Sequence, residues 1–167
     1  MENFKQKLHN ISCFVFDVDG VLTDGSLILL QTGEQARTMN IRDGYALQLA
    51  VKKGYRIVII SGGKSEAVKT RLNGLGIEDV FLGIEDKIST LKNVISKNNL
   101  VTENILYMGD DLPDIAPMKL CGIASCPADA ATEIKEISIY VSDKKGGEGC
   151  VRDVIEQTMR LHGKWGY

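Results

Sequence analysis

Short apolar runs rich in β-branched residues alternate along the chain with longer segments in which apolar positions recur every three or four residues. The first pattern is typical of buried strands and the second of amphipathic helices. The predicted strands are residues 13–16, 57–60, 80–82, 105–108, 123–125 and 139–141. The predicted helices are residues 44–53, 65–75, 87–97, 112–120, 131–136 and 151–161. This alternation predicts an α/β fold, a single doubly wound parallel sheet with helices on both faces.

One segment breaks the alternation. Residues 27–30 and 36–39 are short apolar runs that flank the turn sequence QTGE. We therefore expect a β-hairpin inserted at about residues 25–40, after the first strand. With 167 residues and no linker-like stretch, the chain is expected to form one domain without a cap, ending in a C-terminal tail at about residues 143–167.

Composition excludes several classes of function. Lys and Arg number 20 against 22 Asp and Glu, and no long run of one charge occurs, so binding to nucleic acid phosphates is not expected. No apolar run approaches the roughly 20 residues of a membrane-spanning helix. The N-terminal sequence lacks the apolar core of a secretory signal, and the 4 cysteines form no CxxC pair. We expect a cytoplasmic protein with reduced thiols and no membrane contact.

Polar residues cluster where the predicted strands end. The sequence DVDG follows the first strand, SGG follows the second, GDDLPD follows the fourth, and EDK begins the third helix. Ligands of such sheets bind beyond the carboxyl ends of the strands. One acidic pair at a strand end could simply cap a helix. Four polar segments at one edge indicate a ligand site.

The charges at this edge indicate a metal and a phosphoryl group. If the first and fourth strands are neighbours, Asp17 and Asp110 lie close enough that their repulsion requires a cation. An all-oxygen site with open positions favours Mg²⁺. Lys87, the Ser61 hydroxyl and the backbone amide of Gly62 would then donate to a phosphoryl group. These parts indicate phosphoryl transfer through an aspartyl-phosphate.

The same motifs resemble a known family. VFDVDGVLTD, IISGG, the isolated Lys87 and MGDDLPD are similar, in order, to motifs one to four of the haloacid dehalogenase superfamily phosphatases. DVDGVLTDG, NIRDG and the GGEG tail with Arg152 further resemble the 3-deoxy-D-manno-octulosonate 8-phosphate (KDO 8-phosphate) phosphatases. The resemblance implies a capless, Mg²⁺-dependent, homotetrameric hydrolase that releases phosphate from this sugar-acid phosphate in lipopolysaccharide biosynthesis.

The resemblance also implies roles for individual residues. Asp17 would be the nucleophile and a metal ligand, and Asp19 would be the general acid and base, with its carbonyl on the metal. Asp110 would complete the metal ligands, while Ser61 and Lys87 would hold the phosphoryl group. Asp111 and Asp114 would orient the metal ligands and Lys87 without contacting the metal themselves.

Most of the residues implied in substrate binding lie outside the four motifs. They are Asn40, Arg42, Asp43, Gly44, Gly62, Arg71, Lys87 and Arg152. Without the resemblance, Arg71 would be interpreted as a charge on a solvated helix face. In the resembled family the hairpins assemble the tetramer and the C-terminal segment of one subunit approaches the neighbouring active site, so Arg152 is expected to act in trans.

The chain departs from the family at one position. Many relatives have an arginine directly after the glycine of motif two, where this chain has Gly63 followed by Lys64. Whether Lys64 substitutes for that arginine stays open, because an ammonium group does not reproduce the bidentate geometry of a guanidinium.

Two other functions stay open at this point. Related capless phosphatases act on nine-carbon sugar-acid 9-phosphates, which share the same chemistry. Receiver domains of signalling proteins also place an Asp cluster, a hydroxyl and a lysine on one doubly wound sheet. A receiver has adjacent acidic residues after its first strand and the phospho-accepting Asp after its third. Here the spaced DxD comes first and GDDxxD fourth, which favours an enzyme.

Overall fold

A computed structural model describes residues 3–166 of the chain. Its main strands are β1 (Cys13–Phe16), β4 (Arg56–Ile60), β5 (Asp79–Phe81), β6 (Ile105–Met108), β7 (Ile123–Cys126) and β8 (Tyr140–Val141). They form a 6-stranded sheet in the order β5-β4-β1-β6-β7-β8, and each neighbouring pair is parallel. The predicted parallel α/β fold is confirmed. The chain builds outward from β1 in one direction, then returns to its other side at β6.

Helices cover both faces of the sheet. They are α1 (Phe4–Leu8), α2 (Ile41–Lys52), α3 (Glu66–Gly74), α4 (Lys87–Asn98), α5 (Ile115–Leu120), α6 (Thr132–Ile137) and α7 (Cys150–Leu161). In the part of the chain that the structure describes, no helix combines the length and apolar character needed to cross a bilayer.

Three helical segments differ from the sequence prediction by more than one residue at an end. The short helix α1 was not predicted. Helix α2 begins at Ile41, earlier than the predicted 44, because the Asn40 side chain caps it by accepting hydrogen bonds from the backbone N–H groups of Arg42 and Asp43. The predicted helix 112–120 is a 3₁₀ turn at Leu112–Asp114 followed by α5. Pro113 lies within that turn, where its missing N–H interrupts no helical hydrogen bond.

Alternate residues of β1 face opposite layers of the core. Phe14 and Phe16, both fully buried, pack in a cluster with apolar side chains of α2, α3 and α7. Cys13 and Val15 pack on the other side with side chains of α4, α5 and α6. Burial of each large apolar side chain is worth about 1.5–3 kcal/mol. The two layers therefore hold the central strands in register and place their carboxyl ends at one edge.

The predicted hairpin is present but shorter than expected. Its strands β2 (Ile28–Leu29) and β3 (Gln35–Ala36) pair antiparallel, separately from the main sheet, instead of spanning 27–30 and 36–39. Gly33 takes the positive φ of 87° that the turn requires. Leu29 is 74% exposed, so the hairpin presents apolar side chains to solvent within the single chain.

The GGEG segment packs against the loop that follows β1. The N–H of Gly147 donates to the Val21 carbonyl at 2.9 Å, and the N–H of Gly146 donates to Asp129 Oδ1 at 2.9 Å. A Cβ atom on Gly146 would lie 2.0 Å from the Gly20 carbonyl oxygen. Only glycine allows this approach, so the segment supports the DVDG loop before the chain enters α7.

We expect the substitution Gly146→Ala to lower the free energy of unfolding by about 1–3 kcal/mol, because its methyl group would overlap backbone atoms. Chemical denaturation checks this value. The matched control is Gly74→Ala at the end of α3, where an added Cβ meets nothing within 4 Å and the stability should stay equal or rise slightly. Equal effects of the two substitutions would contradict the packing argument.

Candidate active site

The carboxyl ends of β1 and β6 meet at the point where the strand order reverses. Phe16 lies opposite Met108 in this parallel pair, so Asp17 and Asp110 follow at the same edge, and the expected neighbouring of the two strands is confirmed. One carboxylate oxygen from each of Asp17, Asp110 and Asp114 lies within 4.8 Å of the others. Three carboxylates at this separation repel one another strongly unless cations are present.

Lys87 supplies one of the positive charges. Its Nζ lies 2.8 Å from Asp17 Oδ2 and 2.8 Å from Asp114 Oδ1. The side chain enters from the first residue of α4, whose start is capped by the carboxylate of Asp86. Burial lowers the pKa of the Lys87 ammonium, but the charges of Asp17 and Asp114 outweigh burial and raise it. Lys87 therefore remains protonated in the site.

Asp114 holds its neighbours in position. The fully buried side chain accepts hydrogen bonds from Lys87 Nζ and from the Tyr107 hydroxyl, the latter at 2.8 Å. Its second oxygen accepts from the backbone N–H of Asp110 at 3.3 Å. Sequence reasoning missed Tyr107, because a tyrosine inside a buried strand carries no signal that its hydroxyl reaches the site.

Asp17 and Asp110 are carboxylates with too little positive charge nearby to balance their own. Burial raises the pKa of Asp17 to about 6, with a further contribution from the charge of Asp114, while Lys87 opposes the shift. Burial, followed by the charges of Asp17 and Asp114, raises the pKa of Asp110 to about 7. Asp110 Oδ1 is buried and has no hydrogen-bond partner among the residues described. A divalent cation coordinated by Asp17 and Asp110 fits this oxygen and the surplus of negative charge.

Asp19 lies beside these groups and is paired with an arginine that the sequence did not point to. Arg37 Nε donates to Asp19 Oδ1 at 2.7 Å, and Arg37 Nη2 donates to Asp19 Oδ2 at 3.0 Å. Arg37 follows β3, so the inserted hairpin brings it to the sheet edge. Its contact depends on the direction in which the hairpin folds back, and no local motif reports that direction.

The motif residues line one cavity of about 620 Å³. Ser61 follows β4 and is buried, and its hydroxyl oxygen accepts a hydrogen bond from the N–H of Gly63 at 3.2 Å. Asp111 is exposed and accepts from the N–H of Leu112. The structure thus brings together eight of the residues that the sequence singled out: Asp17, Asp19, Ser61, Gly62, Lys87, Asp110, Asp111 and Asp114.

Three of the residues implied in sugar binding lie away from the catalytic cavity in the folded chain. Asn40, Arg42 and Arg152 line a separate cleft of about 840 Å³ between α2 and α7. Arg152 Nε donates to Glu156 Oε2 at 3.0 Å, and its guanidinium stacks 5.1 Å from the centre of the Trp165 ring. These side chains do not line the cavity of their own Asp17.

Asp43, Gly44 and Arg71 are the other three residues implied in sugar binding, and they also do not line the cavity of Asp17. Asp43 is 1% exposed, and its Oδ1 accepts from the N–H of Arg152 at 2.8 Å, so the carboxylate caps the start of α7. Burial raises its pKa to about 6, against the hydrogen bonds it accepts. The Arg71 guanidinium covers Gly44, where an added Cβ would lie 2.6 Å from Arg71 Nη2. Arg71 lines a third cleft, between the hairpin and α3.

Comparison with known proteins gives consistent matches. A family model described as haloacid dehalogenase-like hydrolase matches residues 85–155. The KDO 8-phosphate phosphatase of Salmonella typhi is 34% identical over 95% of this chain and 84% of its own length. That of Haemophilus influenzae is 31% identical over 96% of this chain and 89% of its own.

Solved structures are similar over nearly the whole chain. A crystal structure of the KDO 8-phosphate phosphatase from Moraxella catarrhalis, in complex with magnesium, phosphate and KDO, superimposes with a TM-score of 0.90 at 32% identity, covering 94% of this chain and 90% of that one. A probable phosphatase from Pseudomonas syringae superimposes with a TM-score of 0.93 at 36% identity, covering 96% and 92%.

The surplus of negative charge predicts a stabilising substitution in metal-free protein. At pH 8 Asp110 is ionised at a cost, so Asp110→Asn should raise the free energy of unfolding by about 1–3 kcal/mol after allowance for partial solvent screening. Because the folded-state pKa of Asp110 is raised to about 7, wild type takes up a proton on acidification and recovers stability. The advantage of the variant should therefore shrink between pH 8 and pH 5.5.

Urea denaturation with a chelator present measures both values. The control is Asp143→Asn, at an exposed position that does not line the cavity, whose stability should differ little from that of wild type. An equal advantage of Asp110→Asn at both pH values would contradict a raised pKa of Asp110 in the folded protein.

Proposed function

The chain belongs to the KDO 8-phosphate phosphatase family of haloacid dehalogenase-like hydrolases, and we propose that it hydrolyses KDO 8-phosphate to KDO and phosphate with Mg²⁺. The reaction would serve lipopolysaccharide biosynthesis. The receiver-domain alternative is wrong, because the relatives over nearly the whole chain are phosphatases. The nine-carbon sugar-acid 9-phosphate remains the second substrate to assay, because it carries the same two anionic groups.

One observation carries the proposal. Asp17, at the end of β1, faces Asp110 across the switch point and is held by Lys87, the arrangement expected of a carboxylate that attacks phosphorus beside a cation and an ammonium. Magnesium, when bound, neutralises the carboxylates and polarises the phosphoryl oxygens. Asp17 and Asp110 are the proposed side-chain ligands, with the backbone carbonyl of Asp19 as the third protein ligand.

In the proposed first step, an Asp17 carboxylate oxygen attacks phosphorus while the bond from phosphorus to the sugar oxygen breaks. Asp19, after taking up a proton from solvent, gives it to that departing oxygen, so the sugar leaves as a neutral alcohol. Lys87 Nζ and the Ser61 hydroxyl lie in the same cavity and donate to the phosphoryl oxygens, where the negative charge of the transition state lies.

In the proposed second step, Asp19 accepts a proton from a water molecule whose oxygen attacks the aspartyl-phosphate. The bond from Asp17 to phosphorus breaks, and inorganic phosphate leaves. Asp114 keeps Lys87 in place through both steps by its 2.8 Å contact, and the Tyr107 hydroxyl holds Asp114 in turn. Both oxygens of Asp114 are thereby committed to orienting its neighbours.

A homotetramer belongs to the same proposal. Six large apolar side chains of the hairpin and of the first turns of α2 are exposed in the single chain, a surface suited to contact between subunits. They are Leu27, Ile28, Leu29, Leu30, Ile41 and Tyr45. Asn40, Arg42 and Arg152 do not line the cavity of their own Asp17, so we propose that they serve the site of a neighbouring subunit.

A cytoplasmic location is also part of the proposal. All four cysteines are free, and three of them are buried, which suits a reducing compartment.

Asp17→Asn should lower phosphate release from KDO 8-phosphate by on the order of 10⁴-fold or more, because the amide cannot form the aspartyl-phosphate. A phosphate-release assay with Mg²⁺ measures this loss, and circular dichroism checks the fold. The matched control is Asp79→Asn, at the amino end of β5, where the carboxylate pairs with Arg56 away from the cavity. Substantial turnover by Asp17→Asn would remove Asp17 as nucleophile.

Arg152→Ala should raise the KM for KDO 8-phosphate while leaving the oligomer and most of kcat unchanged, because we assign Arg152 to substrate contact in trans. Arg160→Ala is the matched control. Arg160 also lies on α7, pairs with Glu156 and approaches Trp165, and it is not assigned to the substrate.

Mixed oligomers test the trans contact directly. Asp17→Asn subunits retain Arg152, and Arg152→Ala subunits retain the nucleophile, so verified mixtures should contain some sites with a KM near that of wild type. Kinetics of the mixtures that show only the raised KM would contradict a contact between subunits.

A further inference from the structure

Arg37 is committed to Asp19 in the free chain. Two of its nitrogens donate to the two carboxylate oxygens, and the third, Nη1, donates to the carbonyl oxygen of Gln35 at 2.9 Å. The Arg37 side chain is only 4% exposed. Planar bidentate pairing of this kind fixes the orientation of both partners. Both oxygens of Asp19 are thereby engaged by the same guanidinium.

Gly63 makes the space in which this pair forms. A Cβ atom on Gly63 would lie 2.8 Å from Asp19 Oδ2 and 3.0 Å from Arg37 Nη2. The stem of Lys64 turns instead toward Gly83, where an added Cβ would lie 2.8 Å from Lys64 Cε. The guanidinium next to residue 63 therefore comes from Arg37 on the hairpin, and not from residue 63 or 64.

Arg37 also borders a cleft large enough for the body of a sugar acid. The cleft, of about 570 Å³, lies between the hairpin and α3. Its charged lining residues are Glu34, Arg37, Lys64, Glu66 and Arg71. Arg37 thus lines this cleft and also binds Asp19, which lines the catalytic cavity.

We propose that Arg37 determines specificity by exchanging partners: it holds Asp19 in the free enzyme and binds the carboxylate of the sugar acid when substrate enters. This inference rests on the proposed function. The exchange frees Asp19 to take up a proton from solvent and pass it to the leaving oxygen, and it occurs only when a second anion is present on the substrate.

Charge and burial support the exchange. A buried guanidinium that loses its carboxylate without replacement is strongly unfavourable. Lys87 lies beside Asp17 in the catalytic cavity, so a phosphoryl group bound there would have a cationic partner without Arg37. A sugar-acid phosphate carries one other anion, its carboxylate, which matches the guanidinium fork in the same bidentate manner as Asp19. A neutral sugar phosphate offers no such replacement, so it leaves Asp19 held.

The test compares KDO 8-phosphate with its methyl ester, which differs only in lacking the negative charge of the carboxylate. Wild type should prefer the free acid in kcat/KM. For Arg37→Met we expect the preference to fall at least tenfold, toward equal values, because the charged partner of the carboxylate is gone. Arg37→Lys should keep part of the preference, since it retains the charge without the fork. Circular dichroism verifies the fold of each variant.

Arg56→Met is the matched control, because Arg56 pairs with Asp79 at the opposite end of the strands and should leave the preference unchanged. An equal loss by Arg37→Met on both substrates would overturn the inference and assign Arg37 to the orientation of Asp19 alone. An unchanged preference would overturn it as well. If wild type hydrolyses neither compound but hydrolyses p-nitrophenyl phosphate, the proposed substrate itself is wrong and the inference falls with it.

Discussion

The repulsion among three carboxylates at one sheet edge is the constraint on which the rest of the structure depends. Asp17, Asp110 and Asp114 converge because β1 and β6 are parallel neighbours, and one ammonium, that of Lys87, lies among them. Burial, and after it the charges of the neighbouring carboxylates, raises the pKa values of Asp17 and Asp110. A divalent cation bound by Asp17 and Asp110 would supply the positive charge that this edge lacks. The fold thus brings the three carboxylates and Lys87 together, and a bound cation would balance their charge.

Segments distant in sequence support this edge. Gly146 and Gly147 allow the C-terminal segment to pack closely on the loop after β1. The Asp43 carboxylate caps α7, the helix that follows. The hairpin supplies Arg37 to Asp19 from the other side. Asn40, Arg42 and Arg152, by contrast, line a separate cleft between α2 and α7.

The sequence predicted the parts of this arrangement that depend on strand order and local pattern. Asp17 and Asp110 could be paired in advance because β-branched runs mark the strands and because polar residues at their ends share one edge. The contact of Arg37 with Asp19 could not be predicted, because it depends on how a hairpin folds back in space. The sequence prediction placed the start of α2 too late because the apolar pattern of its first turn is weak. The Asn40 side chain caps the helix and lets it begin at Ile41. Residues 112–120 read as one helix, although Pro113 belongs to a separate turn.

Chemical trapping tests most directly whether Asp17 carries the phosphoryl group. Enzyme mixed with KDO 8-phosphate and Mg²⁺ is quenched during turnover and treated with borohydride, which reduces an acyl phosphate to the alcohol. Peptide mass spectrometry should then find homoserine at position 17 in the substrate-treated sample and aspartate without substrate. Active enzyme with unmodified Asp17, and a reduced alcohol at another Asp or Glu, would contradict this role of Asp17.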